Sequence, residues 1–481
     1  MIKQLLFDQT TPVSMYGKIK ELFKDEVTML FESVVTTVEG SYSFITIGAL
    51  ERIVYKDNQT LYTNKKGQVE KLNEDPFNFL QTYYQNLDQK KYQEIADEVG
   101  FSFVDGFIGF IGYDMVKVFE PTLKASMDNL YDPLNTPDLD LVRPSIILAY
   151  SHKNSMLTII QNDVNYKEAI EKLESTLKES HTPQKLKAAN LHGEGTFSIE
   201  EERYKKLVDE SKEMIRSGDV FQILLANRYT QKGEIDPLSF YRLLRSKNPS
   251  PYLFLLDYED FSIAGSSPEV MVRLSNDEIL LRPIAGTRKR GKNKARDKEL
   301  ELEMLNDPKE CAEHLMLIDL GRNDVGRVAK TGTVKVTDMM RVERYSHVMH
   351  MVTDVEAIIA EDKDMFDLFR ATFTAGTMTG APKIRAMELI AGYEGLKRGF
   401  YSGSVGYFSF NGEMDSSIAI RTALIKPDAI TLQAGGGVVA DSIPELEYLE
   451  VKNKLGALLA TIQDMAKLDK HTKPRAKQNR R

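Results

Sequence analysis

Short strand-like runs follow one another through this chain with too little sequence between them for a crossover helix. Tyr252–Leu256, Ser262–Gly265 and Val270–Leu274 are separated by stretches of a few residues, and so are Gly403–Phe410, Ser417–Leu424 and Ala429–Ala434. A parallel pair needs a connection of roughly a dozen residues or more, usually a helix, so neighbours spaced this closely pair antiparallel. Further β-rich runs lie at Ser41–Gly48, Ser145–Tyr150, Val220–Tyr229 and Val334–Val336. Helical periodicity marks Tyr166–Leu177, Ser198–Ser217, Pro308–Leu320, Met365–Thr372, Ile384–Ala391 and Pro444–Met465. Many adjacent strands with occasional helices predict an α+β fold with antiparallel-rich sheets, not alternating βαβ units.

The 481 residues suffice for two or three domains. A polar stretch, 181–195, is the best boundary between an N-terminal region (1–180) and a second region (196–466). In the tail, 467–481, Lys467, Lys470, Lys473, Arg475, Lys477, Arg480 and Arg481 face only Asp469, the pattern of a solubilising end. No apolar run approaches the roughly 18 residues of a membrane span. Met1–Thr11 lacks the basic-then-apolar order of a signal peptide. One cysteine, Cys311, forbids an internal disulfide or a Cys-based zinc site and fits a reducing cytoplasm. With 63 basic against 71 acidic residues the bulk of the chain carries no electrostatic footprint for nucleic acid. Tryptophan is absent.

The glycine-rich pieces do not open nucleotide sites: Gly376–Lys383 (GTMTGAPK) lacks P-loop spacing, and Gly435–Gly437 does not begin G-x-G-x-x-G. Two helices carry paired carboxylates. In the first, Asp307 suits the N-cap and Pro308 the first helical position, which puts Glu310 and Glu313 on one face. In the second, Ser442 and Glu445 match a capping box, with Glu447 and Glu450 again three apart; Ser198 and Glu201 match another box upstream. Two acidic faces that converge make an oxygen-rich site suited to Mg²⁺. Taken singly, the same spacings fit a capping role for Glu310 and an i,i+4 pair between Glu450 and Lys454. On a strand, His347 and His350 point to opposite faces. Gly435–Gly437 after a strand can present backbone N–H groups to a carboxylate or simply turn. Arg421, read as a charge within the apolar strand IAIRT, needs an anionic partner. The residues alone reach as far as a Mg²⁺ site for a carboxylated small molecule.

The ordered motifs RPIAGTRKRG, AEHLMLIDLGRNDVGRV, VERYSHVMH, TAGTMTGAPKIRAMELI, MDSSIAIRT and QAGGGVVADSIPELEYLEVKNK resemble the chorismate-utilising enzymes, and among them the anthranilate synthase component I branch. That resemblance implies two packed antiparallel-rich β-sheets with helices on the outside. It implies Mg²⁺ held by Glu310, Glu313, Glu447 and Glu450. Tyr401 and Arg421 resemble the pair that grips the enolpyruvyl carboxylate of chorismate, with the backbone of Gly435, Gly436 and Gly437 close to the same anion. Glu269 resembles the acid that helps the C4 hydroxyl leave. Thr287 and the turn containing Gly376 and Thr377 would line the ring. His350 resembles the histidine placed for pyruvate loss, and His347 receives no role.

Two positions bear on which reaction is run. Water-adding relatives place a general-base lysine where this chain has Gln222, and the aminodeoxychorismate branch places a lysine nucleophile where it has Ala285. Ammonia needs neither lysine. The resemblance therefore implies chorismate and ammonia giving anthranilate and pyruvate, the first step of tryptophan biosynthesis. A separate glutamine amidotransferase subunit would supply the ammonia in a cytoplasmic heterotetramer. Aminodeoxychorismate synthase component I and a catalytically inert regulatory paralogue remain alternatives at this point. Leu30–Ser33 (LFES) and Asn248–Tyr252 (NPSPY) resemble a tryptophan feedback site. There Glu32 would meet an ammonium, Ser33 would hydrogen-bond, and in the motif Asn248, Pro249, Ser250, Pro251 and Tyr252 the Pro/Tyr wall would hold an indole.

Overall fold

A computed structural model describes residues 1–33, 42–179, 184–345 and 348–468. Among them, 25 strands form two sheets, one of thirteen strands and one of twelve, and the ladders within both are antiparallel. Strands from either side of 181–195 share both sheets. Thr28–Glu32 pairs with Tyr252–Asp257 in the larger, and Gly106–Ile111 pairs with Ser404–Ser409 in the smaller.

The larger sheet is buried on both faces, which is why its strands read as nearly continuous apolar runs. Side chains alternate in direction along a strand. In Tyr252–Asp257, Leu253 and Leu255 join the core beneath the helices, while Phe254 and Leu256 join the core between the sheets. Gln222–Glu234 divides the same way, with Ile223 and Leu225 toward the helices and Leu224 and Ala226 toward the other sheet. The helices Glu201–Arg216, Pro237–Lys247 and Pro444–Lys467 cover the outer face. The expected packing of two antiparallel sheets with outside helices is what the chain adopts.

Local expectations diverge at four places. The run Ser417–Leu424 is two strands: Met414–Ile418 belongs to the smaller sheet and Thr422–Lys426 to the larger. Arg421 lies in the break with φ of 53°, so it is a corner residue and not a charge within a strand. Gly435–Gly437 lie inside the strand Ala429–Val438, paired with Leu224–Ala226, and not in a loop. Neither Ser198 nor Ser442 caps a helix. Ser198 Oγ donates to Asn227 Oδ1, Ser442 Oγ accepts from the Val439 amide, and the N-caps are Glu200 and Ile443. In both cases a neighbouring strand or loop captured the hydroxyl that sequence assigned to the cap. His347 and the tail 469–481 lie outside the described residues. Among the described residues no helix is long and apolar enough to cross a membrane.

Candidate active site

The chain crosses between the sheets at several points, and two adjacent crossings carry site residues. Ser262–Ser267 of the larger sheet leads into Val270–Ser275 of the smaller, leaving Glu269 at the corner. Ile418 to Thr422 crosses back, leaving Arg421 at the other. The corners are tied together: the Ile418 amide donates to the Glu269 carbonyl at 3.0 Å, and the Ser266 amide to the Arg421 carbonyl at 3.1 Å.

Glu269 is buried, and the Thr377 hydroxyl donates to its Oε1 at 3.1 Å. Burial pushes its carboxyl from 4.5 up to about 8, against the pull of that hydroxyl and of Lys454. Glu269 is thus protonated at neutral pH and can donate a proton, the state a general acid requires. Thr377 sits in the short turn Gly376–Met378. Leu281, Pro283, Leu317, Leu320 and Gly321 line the cleft beside both.

His350 lies on the strand Val348–Ile358, opposite Thr287 across the ladder. Its Nδ1 is 3.0 Å from the Gly286 carbonyl and 3.1 Å from Thr287 Oγ1. A carbonyl only accepts, so Nδ1 carries the proton and Nε2 keeps its lone pair. Burial, more than the nearby Arg421, holds the ring's pKa below the usual histidine value, so it is neutral at pH 7. Ala285, two residues before Thr287, is buried and pairs with Met351.

The acidic helices form as their sequences dictate. Asp307 accepts from the Lys309 and Glu310 amides and starts Pro308–Gly326; Pro444 opens Pro444–Lys467. Glu310 and Glu313 project from the first, Glu447 and Glu450 from the second. Burial raises the Glu313 pKa, Glu310 and then Glu450 raise it further, and Gln222 and Lys454 oppose them. Burial likewise raises Glu447, against a hydrogen bond from Ser442; Glu450 adds to the rise, and Lys309 and Lys454 oppose it. The two faces therefore repel one another and lack a full complement of counter-charge. Glu310 is held by Arg288 at 2.8 Å, and Glu450 by Lys454 at 2.7 Å, the i,i+4 pair foreseen from spacing.

Among the described residues no three His, Cys, Asp or Glu side chains are gathered as metal ligands. Even so, two observations fit the acidic set to a divalent cation. Glu447 Oε2 is buried without a hydrogen-bond partner, and a Cβ on Gly436 would stand 3.0 Å from that oxygen. A lone buried carboxylate oxygen is costly unless something binds it. An oxygen-only acidic set is what Mg²⁺ takes.

Gln222 bridges this set to the glycine strand. Its Nε2 donates to Glu313 Oε1 at 3.3 Å, its Oε1 is buried without a partner, and a Cβ on Gly437 would strike its Nε2 at 2.6 Å. At Gly435 a Cβ would meet the Leu225 carbonyl at 2.7 Å. Tyr401 is buried, with its hydroxyl pKa pushed up to about 12 by burial. Arg421 is half-buried and donates to the Lys454 carbonyl. Lys454 in turn donates to the Gly435 carbonyl at 2.8 Å. Spacing to Glu450 marked Lys454 in the sequence; Arg288 was missed, and nothing in the sequence marks it.

The second motif pair is also brought together. Leu253 stands opposite Glu32 in register. Glu32 is buried, accepts from the Tyr241 hydroxyl at 2.6 Å, and lies 3.0 Å from Arg245 Nε. Burial raises its pKa against both partners. The carboxylate expected to meet an ammonium is thus already partnered by Arg245, from the helix Pro237–Lys247, which sequence reasoning passed over. Asn248 Nδ2 donates to Ser266 Oγ at 3.3 Å, and Ser250 is buried. Tyr252 differs from expectation. One position from Leu253, it faces the other side of the sheet and donates to Asp415 Oδ1 at 2.9 Å, away from Glu32. Ser33 is half-buried, and 34–41 lie outside the described residues.

Residues 32–460 match the family model described as chorismate binding enzyme. Anthranilate synthase component 1 of Aquifex aeolicus is 40% identical over 479 residues, spanning 96% of this chain and 94% of its own. The crystal structure of anthranilate synthase component I from Streptococcus pneumoniae superposes with a TM-score of 0.74 at 34% identity, over 88% of this chain and 93% of that one. The menaquinone-specific isochorismate synthase of Escherichia coli, at 18% identity, shares the fold with a TM-score of 0.69 over 96% of this chain and 94% of its own. The chain belongs to the chorismate-binding enzyme family, among the relatives of anthranilate synthase component 1.

Proposed function

We propose that the chain converts chorismate and ammonia to anthranilate and pyruvate, with the ammonia supplied from glutamine by a separate amidotransferase subunit. The observation that carries this reading is Glu269. It is a buried carboxyl kept protonated at neutral pH, in a chain that has an amide (Gln222) and a methyl (Ala285) at the two positions where the family resemblance puts the lysines of rival reactions.

Tyr401 and Arg421 grip the enolpyruvyl carboxylate, beside the backbone of Gly435–Gly437. Ammonia attacks C2 while the C4–O bond breaks; Glu269 gives its proton to the departing hydroxyl, which leaves as water, and the new C2 ammonium sheds a proton. His350 Nε2 then takes the C2 proton as the C3–O bond breaks, releasing enolpyruvate, which becomes pyruvate as the ring turns aromatic. Glu310, Glu313, Glu447 and Glu450 would hold Mg²⁺, which supplies positive charge to bind and orient the ring carboxylate. Arg288 and Lys454, now paired with Glu310 and Glu450, would have to release them to the ion. Cys311 is no glutaminase nucleophile: it sits on the acidic helix with its thiol on the Leu305 carbonyl at 3.2 Å, which supports a partner subunit. Glu32, Ser33 and Asn248–Pro251 form the tryptophan feedback site, with Arg245 yielding Glu32 to the ligand's ammonium.

The test is turnover with chorismate, Mg²⁺ and ammonium, with the product read by fluorescence. Anthranilate with stoichiometric pyruvate is expected. Accumulation of 4-aminodeoxychorismate, or turnover equal to buffer, refutes the reading.

A further inference from the structure

Three ligand-side elements of the site come from separate parts of the chain, and one guanidinium reaches all three. Arg398 is 1% exposed. Its Nη1 donates to the Met378 carbonyl at 2.8 Å and to Ser402 Oγ at 3.4 Å. Its Nη2 donates to the Leu224 carbonyl at 3.0 Å. Glu394 takes the remaining two donors, Nε at 2.8 Å and Nη2 at 2.6 Å. All five N–H groups of the fork are spent. The guanidinium carbon lies 4.7 Å from the Tyr113 ring centroid and 5.8 Å from that of Tyr401. Glu394 Oε1 also accepts the Ala226 amide at 2.9 Å, and Gln433 Nε2 donates to the Arg398 carbonyl at 2.9 Å.

Each contact ends on a working part. Met378 closes the turn whose Thr377 holds Glu269. Leu224 and Ala226 are the strand partners of Gly437 and Gly435, on the strand that also carries Gln222. Ser402 follows Tyr401, and its carbonyl accepts from Thr374 at 2.8 Å. A buried ion pair is weak evidence for stability, since apolar residues of similar volume often serve as well. What apolar residues cannot do is hold two backbone carbonyls and a hydroxyl, from three segments, at hydrogen-bond distance from one planar group. Lysine, a point donor on a flexible stem, cannot do it either.

We propose that Arg398, clamped by Glu394, is a positioning residue for the reaction above: it sets Tyr401 and the Gly376–Met378 turn in fixed register with the Gln222 strand, aligning the carboxylate grip with the proton donor. The inference rests on the proposed function.

The test is steady-state kinetics with chorismate varied at saturating ammonium, for the wild type, Arg398→Lys, Tyr401→Phe and the double variant. Arg398→Lys should raise KM for chorismate about tenfold and lower kcat about tenfold, because both the grip and the donor lose register. In the Tyr401→Phe background its further effect on KM should shrink to about threefold or less, since residues that act through one another are not additive. KM within about twofold of wild type, or an undiminished rise in the double variant, overturns the proposal. If Arg398→Lys lacks the wild-type circular dichroism spectrum, Glu394→Asp, which keeps the charge and shortens the clamp, is read by the same two criteria. A wild type without turnover overturns the proposed function and this inference with it; an active wild type matched by its variants overturns this inference alone.

Discussion

Replacing Glu269 with glutamine should stabilise the fold, by an amount set by pH, and sharply slow the reaction. Burial holds this carboxyl at about 8, against 4.5 for the ordinary group. Between those two values the unfolded chain has lost the proton and the native chain has not. Stability therefore falls as pH rises across the interval, by up to about 1.4 kcal/mol per pH unit. The contribution is complete below pH 4.5 and gone once pH passes 8. Glutamine mimics the protonated form, keeps an oxygen for the Thr377 hydroxyl, and has no proton to lose. The gap between variant and wild type should widen from about 1 kcal/mol at pH 5 to an upper figure of about 4 kcal/mol at pH 8. Other titrating groups are common to both proteins and cancel. Unfolding entropy of about 2.1 cal/mol/K per residue gives about 1 kcal/mol/K for 481 residues, so about 1 °C of melting temperature per kcal/mol. Melting curves at pH 5, 6, 7 and 8 should coincide within about a degree at the acid end and diverge by about 4 °C at the alkaline end. Turnover of the same variant should fall about 10²- to 10⁴-fold, and wild-type turnover should decline as pH rises through about 8. A stability gap that does not change with pH would refute the assignment of a buried, protonated Glu269.

Glu313→Gln and Glu450→Gln should each remove Mg²⁺-dependent turnover while leaving the melting temperature within a few degrees of wild type; full activity in both variants sinks the acidic set as a metal site. The absence of tryptophan from the chain makes the proposed feedback site directly measurable, because indole emission then reports the ligand alone. Titration with tryptophan should give saturable binding in the wild type and about a tenfold or greater loss of affinity in Ser33→Phe, where an aromatic ring fills the half-buried place of a hydroxyl. Equal binding curves would move the site elsewhere.

How much of the site was legible depended on how local its cause was. Asp307, Pro308, Glu310 and Glu313 are fixed by one helical turn, and the structure places them as their spacing dictates. The link from Glu450 to Lys454 is equally local. Capping by Ser198 and Ser442 failed because each hydroxyl had a better partner outside its own turn, in Asn227 and in the Val439 amide. Arg421 was misplaced because its apolar neighbours looked the same on either side of a corner as they would along one strand. The grip of Arg245 on Glu32, and of Arg398 on Met378 and Leu224, joins positions far apart in the chain that no short pattern relates.

The sequence by itself determined the antiparallel architecture, because linkers of a few residues between apolar runs permit no crossover. It also determined the acidic helix faces, because a three-residue spacing on a helix has one geometric outcome. The tertiary structure alone decided where the chemistry assembles. Glu269 and Arg421 stand together because two of the chain's crossings between the sheets lie at adjacent corners. Glu269 holds its proton because packing around that corner removes the water that would stabilise its charge.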